Sequence, residues 1–133
     1  MVTRCVVVIA ATVLAFAATQ DVGDFARARS EYAIDELSRP FVVRSVSGGV
    51  SLDADPEAVL PTAFIEIQGP GKDRRMRRAT VDQDGRFRIR RVPQGQYKFK
   101  VSNDGFQGVM GTIVVSKSAP KNNEVLIGMR PGT

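Results

Sequence analysis

Histidine and tryptophan are absent from the 133-residue chain, and cysteine occurs once, as Cys5. Histidine is the commonest general base, and histidine and cysteine are the usual zinc ligands. Catalysis would therefore rest on Asp, Glu, Ser or Lys alone. We expect no enzymatic activity, no catalytic residue, no bound metal and no cofactor. The absence of tryptophan also removes the largest ring on which a sugar could stack.

The N-terminal end carries one positive charge, Arg4, followed by an uncharged apolar run over residues 5–18. This run is shorter than the roughly 20 residues that span a bilayer, and it contains the small-x-small sequence Ala15-Phe16-Ala17. We therefore predict a signal peptide over residues 1–17 and export to the periplasm, the cell surface or the extracellular space. The alternative is a retained single-helix anchor. Cleavage would remove the only cysteine and leave no transmembrane segment.

Residues 18–40 are expected to form a leader between the cleavage site and the folded domain. Phe25, Ala28 and Tyr32 fall on one side of a helix, and Pro40 ends the pattern. Ile34 points away from that side, so the pattern fits a short helix and a flexible segment equally well. The folded domain is expected over residues 41–133, which is enough chain to bury one core without disulfides.

From residue 41 onward, apolar and polar residues alternate with a period of two, which is typical of half-buried β-strands. Ala63, Ile65 and Ile67 are predicted to face the core, and Tyr97 and Phe99 likewise. Turn sequences rich in Asp, Asn, Gly and Pro separate the strands. The pattern predicts seven strands, near residues 46–52, 63–68, 75–81, 86–90, 97–101, 113–115 and 125–129. Seven short strands with this spacing indicate an all-β sandwich.

One segment carries a specific motif, with the pattern Thr80-x-Asp82-x-x-Gly85-x-Phe87 followed by Val92-Pro93-x-Gly95-x-Tyr97. It resembles the signature of the carboxypeptidase regulatory-like family, and the similarity extends over about residues 43–129. The resemblance implies a transthyretin-like, Greek-key sandwich of two antiparallel sheets. It does not imply one function, because such domains resemble carbohydrate-binding folds, accompany peptidases and outer-membrane receptors, and form repeats in surface adhesins.

Two pairs of acidic residues lie two positions apart beside turn residues, Asp53 with Asp55 and Asp82 with Asp84. Short Asp side chains accept hydrogen bonds from nearby backbone, which explains such pairs without a ligand. A calcium loop needs six or more oxygen ligands, and basic and apolar residues follow the second pair where further ligands would be required. We therefore expect plain turns at both places.

Basic residues are concentrated in one part of the chain. The formal net charge is +5, and nine of the 19 basic residues lie between residues 72 and 91. Alternation places Arg86, Arg88 and Arg90 on the outer side of one strand, and Lys98 and Lys100 on the outer side of the next.

The turn at residues 93–95 leaves two arrangements of these side chains open. A simple hairpin would gather all five into one patch. If the two strands belong to different sheets, Lys98 and Lys100 lie near Glu66 and are partly neutralised, and the three arginines remain as the candidate binding site. Arginines in a row suit the sulfate, phosphate or carboxylate groups of a polysaccharide or lipid head group. The structural interpretation, which we favour for the row itself, is that charged side chains solvate an outer strand and prevent edge-to-edge aggregation.

These observations favour an exported, noncatalytic binding or structural module of the cell envelope or the extracellular space. Its expected partner is a protein or an anionic polymer, and export disfavours nucleic acid. A carbohydrate-binding domain is the alternative function, and a hydrolase is a distant third.

Overall fold

The computed structural model describes residues 33–70 and 75–132. The expected signal peptide of residues 1–17 lies outside these ranges, and so do residues 18–32 of the expected leader. The described residues form ten β-strands and no helix, and accordingly contain no helix long and apolar enough to cross a membrane. The strands are β1 (Ile34–Glu36), β2 (Phe41–Val43), β3 (Val46–Leu52), β4 (Asp55–Val59), β5 (Phe64–Gln68), β6 (Met76–Thr80), β7 (Arg86–Ile89), β8 (Gly95–Ser102), β9 (Gly108–Val115) and β10 (Val125–Met129).

The ten strands form two sheets. In the six-stranded sheet, β1 and β2 lie one after the other along one edge of β9, and β8, β5 and β6 follow on its other side. In the four-stranded sheet, β10 pairs with one edge of β3. The opposite edge of β3 pairs with β7 along its first half and with β4 along its second half. Strands β6 and β7 follow each other in the chain but belong to different sheets.

The all-β sandwich predicted from the sequence is confirmed, and each of the seven predicted strands is present. Strands β3 and β10 have the predicted bounds. Three further strands, β1, β2 and β4, were not predicted, because β1 and β2 are only three residues long and β4 contains Pro56. Proline is tolerated in β4 because this strand lies at the edge of its sheet. Strand β1 falls inside the range expected for the leader.

The expectation of purely antiparallel sheets is wrong, because three pairs of strands run parallel. Strands β1 and β2 run parallel to β9, and β10 runs parallel to β3. Parallel pairing requires a long connection between the partners. Here the connection between β3 and β10 includes most of the six-stranded sheet, so both sheets are mixed.

The core lies between the two sheets and is built from the alternate residues of each strand. Ala63, Ile65 and Ile67 are buried as predicted, and so are Tyr97 and Phe99. The buried Tyr97 hydroxyl donates a hydrogen bond to the Pro93 carbonyl oxygen at 2.7 Å. Burying one large apolar side chain contributes about 1.5 to 3 kcal/mol. Burial in this core also holds Phe87 and Ile89 of β7 in place, so the alternate residues of that strand face solvent.

Candidate functional site

The turn between β6 and β7 is built by one aspartate. The Asp82 Oδ1 atom accepts hydrogen bonds from the backbone N–H groups of Asp84 and Arg86, each at 2.9 Å. Gly85 adopts a φ of 76°, in the left-handed region that glycine enters without steric cost. The side chain-to-backbone hydrogen bonds that the sequence predicted for this turn are present. Among the described residues, no group of three or more His, Cys, Asp and Glu side chains is placed to hold a metal ion.

The turn carries the chain from one sheet to the other and fixes which side chains of β7 face solvent. Phe87 and Ile89 are buried in the core, as the alternation predicts. Arg86 and Arg88 point outward from β7 and are exposed, and Arg90, just after the strand, is also exposed. The exposed arginine row is therefore present.

The neighbouring edge strand β6 adds further arginines. Strands β6 and β7 contact each other along one side of the sandwich. We call the basic residues of β6, β7 and their flanks the arginine margin. It consists of Arg75, Arg77, Arg78, Arg86, Arg88, Arg90 and Arg91.

Two members of the arginine margin are engaged by carboxylates. The Arg78 Nε atom lies 3.1 Å from Glu66 Oε2. Arg86 forms a hydrogen-bonded ion pair with Glu124, and this bond is the main reason that the pKa of Arg86 is raised above its ordinary value. The charge of Asp82 acts in the same direction. The row predicted from the sequence is thus partly neutralised.

Four arginines of the margin have no ion pair among the described residues. They are Arg77, Arg88, Arg90 and Arg91. Guanidinium groups bind carboxylate, sulfate and phosphate through paired N–H donors, so these four are the groups available to an anionic partner.

The two lysines lie on a different sheet from the arginine row. Strand β8 pairs with β5, which places Lys98 opposite Gln68 and Lys100 opposite Glu66. The single five-charge patch is therefore excluded, and the arrangement with separate rows is the observed one. Lys98 is exposed on the outer side of the six-stranded sheet.

Lys100 is not at the exposed surface that the alternation predicts. It points away from the core, yet only 1% of it is exposed, and Glu66 opposite it is completely buried. Gly108 on β9 has no side chain, and the Lys100 Cε atom packs 3.4 Å from the place that a Cβ would take there. Burial lowers the pKa of Lys100, and the negative charge of Glu66 partly offsets this effect. Lys100 is therefore not available to a ligand on the surface.

Beside the arginine row lies a polar cleft of about 480 Å³. Ser47 on β3 is the direct cross-strand neighbour of Arg88. Pairing of β3 with β7 thus brings hydroxyl groups next to guanidinium groups. The cleft is lined by Ser45, Ser47, Thr80, Asp82, Arg86, Phe87 and Arg88.

The sequence did not predict that serine and threonine hydroxyl groups line this cleft. Alternation placed the serines of β3 on its outer side, but nothing local shows that β3 pairs with β7, about 40 residues later in the chain. Glu124, which binds Arg86, comes from a third part of the chain. The cleft depends on these long-range pairings.

Aromatic rings contribute little to this surface. Phe87 lines the cleft but is only 5% exposed, with its ring in the core. Phe64 and Phe106 are half-buried, and Tyr32 lies outside the described residues. Binding here would rest on hydrogen bonds and charge rather than on ring stacking.

Two solved structures are similar to part of this chain. Both are crystal structures of type II cohesin–X-dockerin complexes from Acetivibrio cellulolyticus, one an N-terminal and the other a C-terminal interface mutant. The first is 20% identical with a TM-score of 0.44, covering 66% of this chain and 58% of that chain. The second is 20% identical with a TM-score of 0.38, covering 62% and 51%. This chain thus spans less than two thirds of either structure's chain.

No curated protein is significantly similar to this chain. The family model of the carboxypeptidase regulatory-like domain matches residues 45–127, well over half of the sequence. The matched range includes the motif of residues 80–97 and every strand from β5 to β9. The chain belongs to the carboxypeptidase regulatory-like domain family.

Proposed function

We propose that this chain is an exported, noncatalytic binding or structural module of the cell envelope or the extracellular space. Its arginine margin contacts a protein or an anionic polymer. The observation that carries the proposal is the set of four margin arginines that have no ion pair among the described residues. Net charge alone would not select a surface, but guanidinium groups on β6, β7 and the residues just after β7 that have no ion pair among the described residues do.

The absence of suitable catalytic groups supports a noncatalytic role. The sequence has no histidine, and its single cysteine lies in the expected signal peptide. Of the paired acids, Asp82 is occupied by backbone N–H groups of its own turn, and Asp53 lies 3.8 Å from Arg130. A hydrolase would need two free acids or an activated nucleophile.

A carbohydrate-binding role is the second candidate, and the polar cleft favours it. Ser45, Ser47 and Thr80 line the cleft together, and their hydroxyl groups can donate hydrogen bonds to sugar hydroxyls and accept hydrogen bonds from them. The buried ring of Phe87 weakens this candidate for neutral sugars, which usually need a stacking surface.

A binding screen of the domain separates these functions. The purified protein is presented with anionic polymers and with neutral glycans, each at low and at high salt. Binding to anionic polymers that falls steeply with salt is expected, because screening weakens contacts between exposed charges. Salt-insensitive binding to a neutral glycan would replace the proposal with the carbohydrate role, and no binding to either class would leave a protein partner. Hydrolysis of a glycan or ester substrate by the domain would overturn the noncatalytic assignment.

A further inference from the structure

The polar cleft is close to electrically neutral, although it lies beside the arginine margin. Its lining holds two guanidiniums, those of Arg86 and Arg88, and the carboxylate of Asp82. Glu124 adds a second carboxylate through its ion pair with Arg86. A densely sulfated or phosphorylated polymer would find little net attraction here, and the Asp82 and Glu124 carboxylates would repel it.

One of the two guanidinium groups that line the cleft has no ion pair among the described residues and can bind a ligand. Arg86 is held by Glu124 and lies in the field of Asp82. Arg88 has no ion pair among the described residues, and its cross-strand neighbour is Ser47. The cleft therefore has room for one bidentate carboxylate bond to Arg88.

The remaining polar groups of the cleft suit hydroxyl groups. The hydroxyls of Ser45, Ser47 and Thr80 can each donate and accept. Asp82 uses its Oδ1 for two backbone N–H groups, and its Oδ2 can accept a hydrogen bond from a ligand hydroxyl. The volume of about 480 Å³ lies in the range of small-molecule sites and admits one or two sugar rings.

We propose that this cleft binds the sugar-acid units of a carboxylated polysaccharide, with the carboxylate on Arg88 and the ring hydroxyls on Ser45, Ser47, Thr80 and Asp82. The proposal rests on the proposed binding function and names the class of anionic polymer. It distinguishes carboxylated sugars, which supply one negative charge and several hydroxyls per unit, from sulfated polymers and from acidic peptides.

The test compares four probes on the full protein: a galacturonic acid trisaccharide, a neutral galactose trisaccharide, dextran sulfate and polyglutamate. Affinities are measured by calorimetry at low and at moderate salt. The galacturonic acid trisaccharide is expected to bind at least tenfold more tightly than the neutral one, and more tightly per charge than dextran sulfate or polyglutamate. If polyglutamate binds as tightly as the galacturonic acid trisaccharide, the protein hydroxyl groups do not contribute to recognition. If dextran sulfate binds more tightly, the cleft does not prefer carboxylated sugars over sulfated polymers. Either result would overturn the proposal.

Three variants locate the site. Arg88→Ala is expected to weaken trisaccharide binding at least tenfold, whereas Lys98→Ala, on the outer side of the other sheet and outside both the cleft lining and the arginine margin, is expected to change it less than twofold. Asp82→Asn keeps the Oδ1 acceptor of the turn and is expected to improve dextran sulfate binding. The thermal unfolding of each variant is measured as a control, to check that the variant retains the fold.

The outcomes separate this inference from the proposed function. Dextran sulfate binding that depends on Arg90 and Arg88 equally, with no preference for the sugar acid, would overturn the inference and leave the arginine margin as a polyanion site. Failure of every probe to bind would overturn both the inference and the anionic-polymer form of the function.

Discussion

At the residue scale, Thr62 is held in a conformation that its side chain disfavours. Its φ is 70°, in the left-handed region, and threonine is β-branched. The position is nevertheless fixed, because the Thr62 N–H donates to the Val81 carbonyl oxygen at 3.0 Å. The turn before β5 thus carries local strain that glycine would not have.

Thr62→Gly is therefore expected to stabilise the protein. Relief of the left-handed conformation contributes about 1 to 2 kcal/mol, and the extra freedom of glycine in the unfolded chain costs about 0.5 to 1 kcal/mol. The free energy of unfolding, measured by urea denaturation, should rise by roughly 0.5 to 1 kcal/mol. Thr80→Gly, in the regular strand β6, is the control and should destabilise. A loss of stability in Thr62→Gly would contradict this reading of the turn.

Lys100 predicts a specific pH dependence of stability. Burial lowers the pKa of Lys100 in the folded state below the value of about 10.4 in an unfolded chain. Between these two values the unfolded state binds more protons, so the free energy of unfolding rises with pH. Relative to Lys100→Met, the wild-type protein should gain stability as pH rises through the folded pKa and stop gaining near pH 10.4.

The measurement is urea denaturation of both proteins at several alkaline pH values. Lys98→Met, an exposed substitution on the same strand, controls for the loss of one lysine. Parallel stability curves for wild type and Lys100→Met would show that Lys100 is solvated in the folded protein.

At the scale of elements, the sandwich depends on the close parallel pairing of β3 with β10. A Cβ atom at Gly48 would lie 1.9 Å from the Val125 carbonyl oxygen, so any side chain there separates the two strands. Gly48→Ala is expected to cost about 3 kcal/mol or more, at the upper end of overpacking effects. Gly108→Ala is the matched control, because its Cβ would approach no atom more closely than the flexible end of Lys100, at 3.4 Å. Equal losses in the two variants, measured by urea denaturation, would contradict the observed pairing.

Alternation and turn chemistry predicted the strands that are long enough to show them. Strand β3 and the turn at Asp82 follow directly from local sequence. Strands β1 and β2 do not, because three residues contain no period and their pairing is defined by β9.

In the candidate site, too, only the features that local alternation determines could be predicted from the sequence. The exposure of Arg86 and Arg88 follows from their position on β7. The burial of Lys100 does not, because it comes from the residues that the neighbouring strands β5 and β9 bring beside it. The polar cleft likewise requires Ser47 and Arg88 to meet across a pairing that local sequence does not encode.

At the scale of the whole molecule, many of the arginines lie on β6, β7 and their flanks, and only some of them are paired with carboxylates. The acidic partners Glu66 and Glu124 neutralise Arg78 and Arg86 of the arginine margin. Of the four margin arginines without an ion pair among the described residues, Arg77 lies on β6 and Arg88 on β7, and Arg90 and Arg91 follow the end of β7. Exposed lysines, including Lys98 and Lys121, lie elsewhere on the surface. If net charge determines binding, removal of any two exposed basic residues weakens it equally. If the arginine margin determines binding, removal of margin arginines weakens it more than removal of these lysines.

The most direct test of the arginine margin compares two charge-matched double variants. Binding of long-chain polygalacturonate is measured at two salt concentrations for Arg88→Ala/Arg90→Ala and for Lys98→Ala/Lys121→Ala. The arginine double variant is expected to lose at least tenfold in affinity and most of its salt dependence, and the lysine double variant is expected to stay within about twofold of wild type. Equal losses in the two double variants would show that binding follows net charge alone and would contradict the arginine margin as the binding surface.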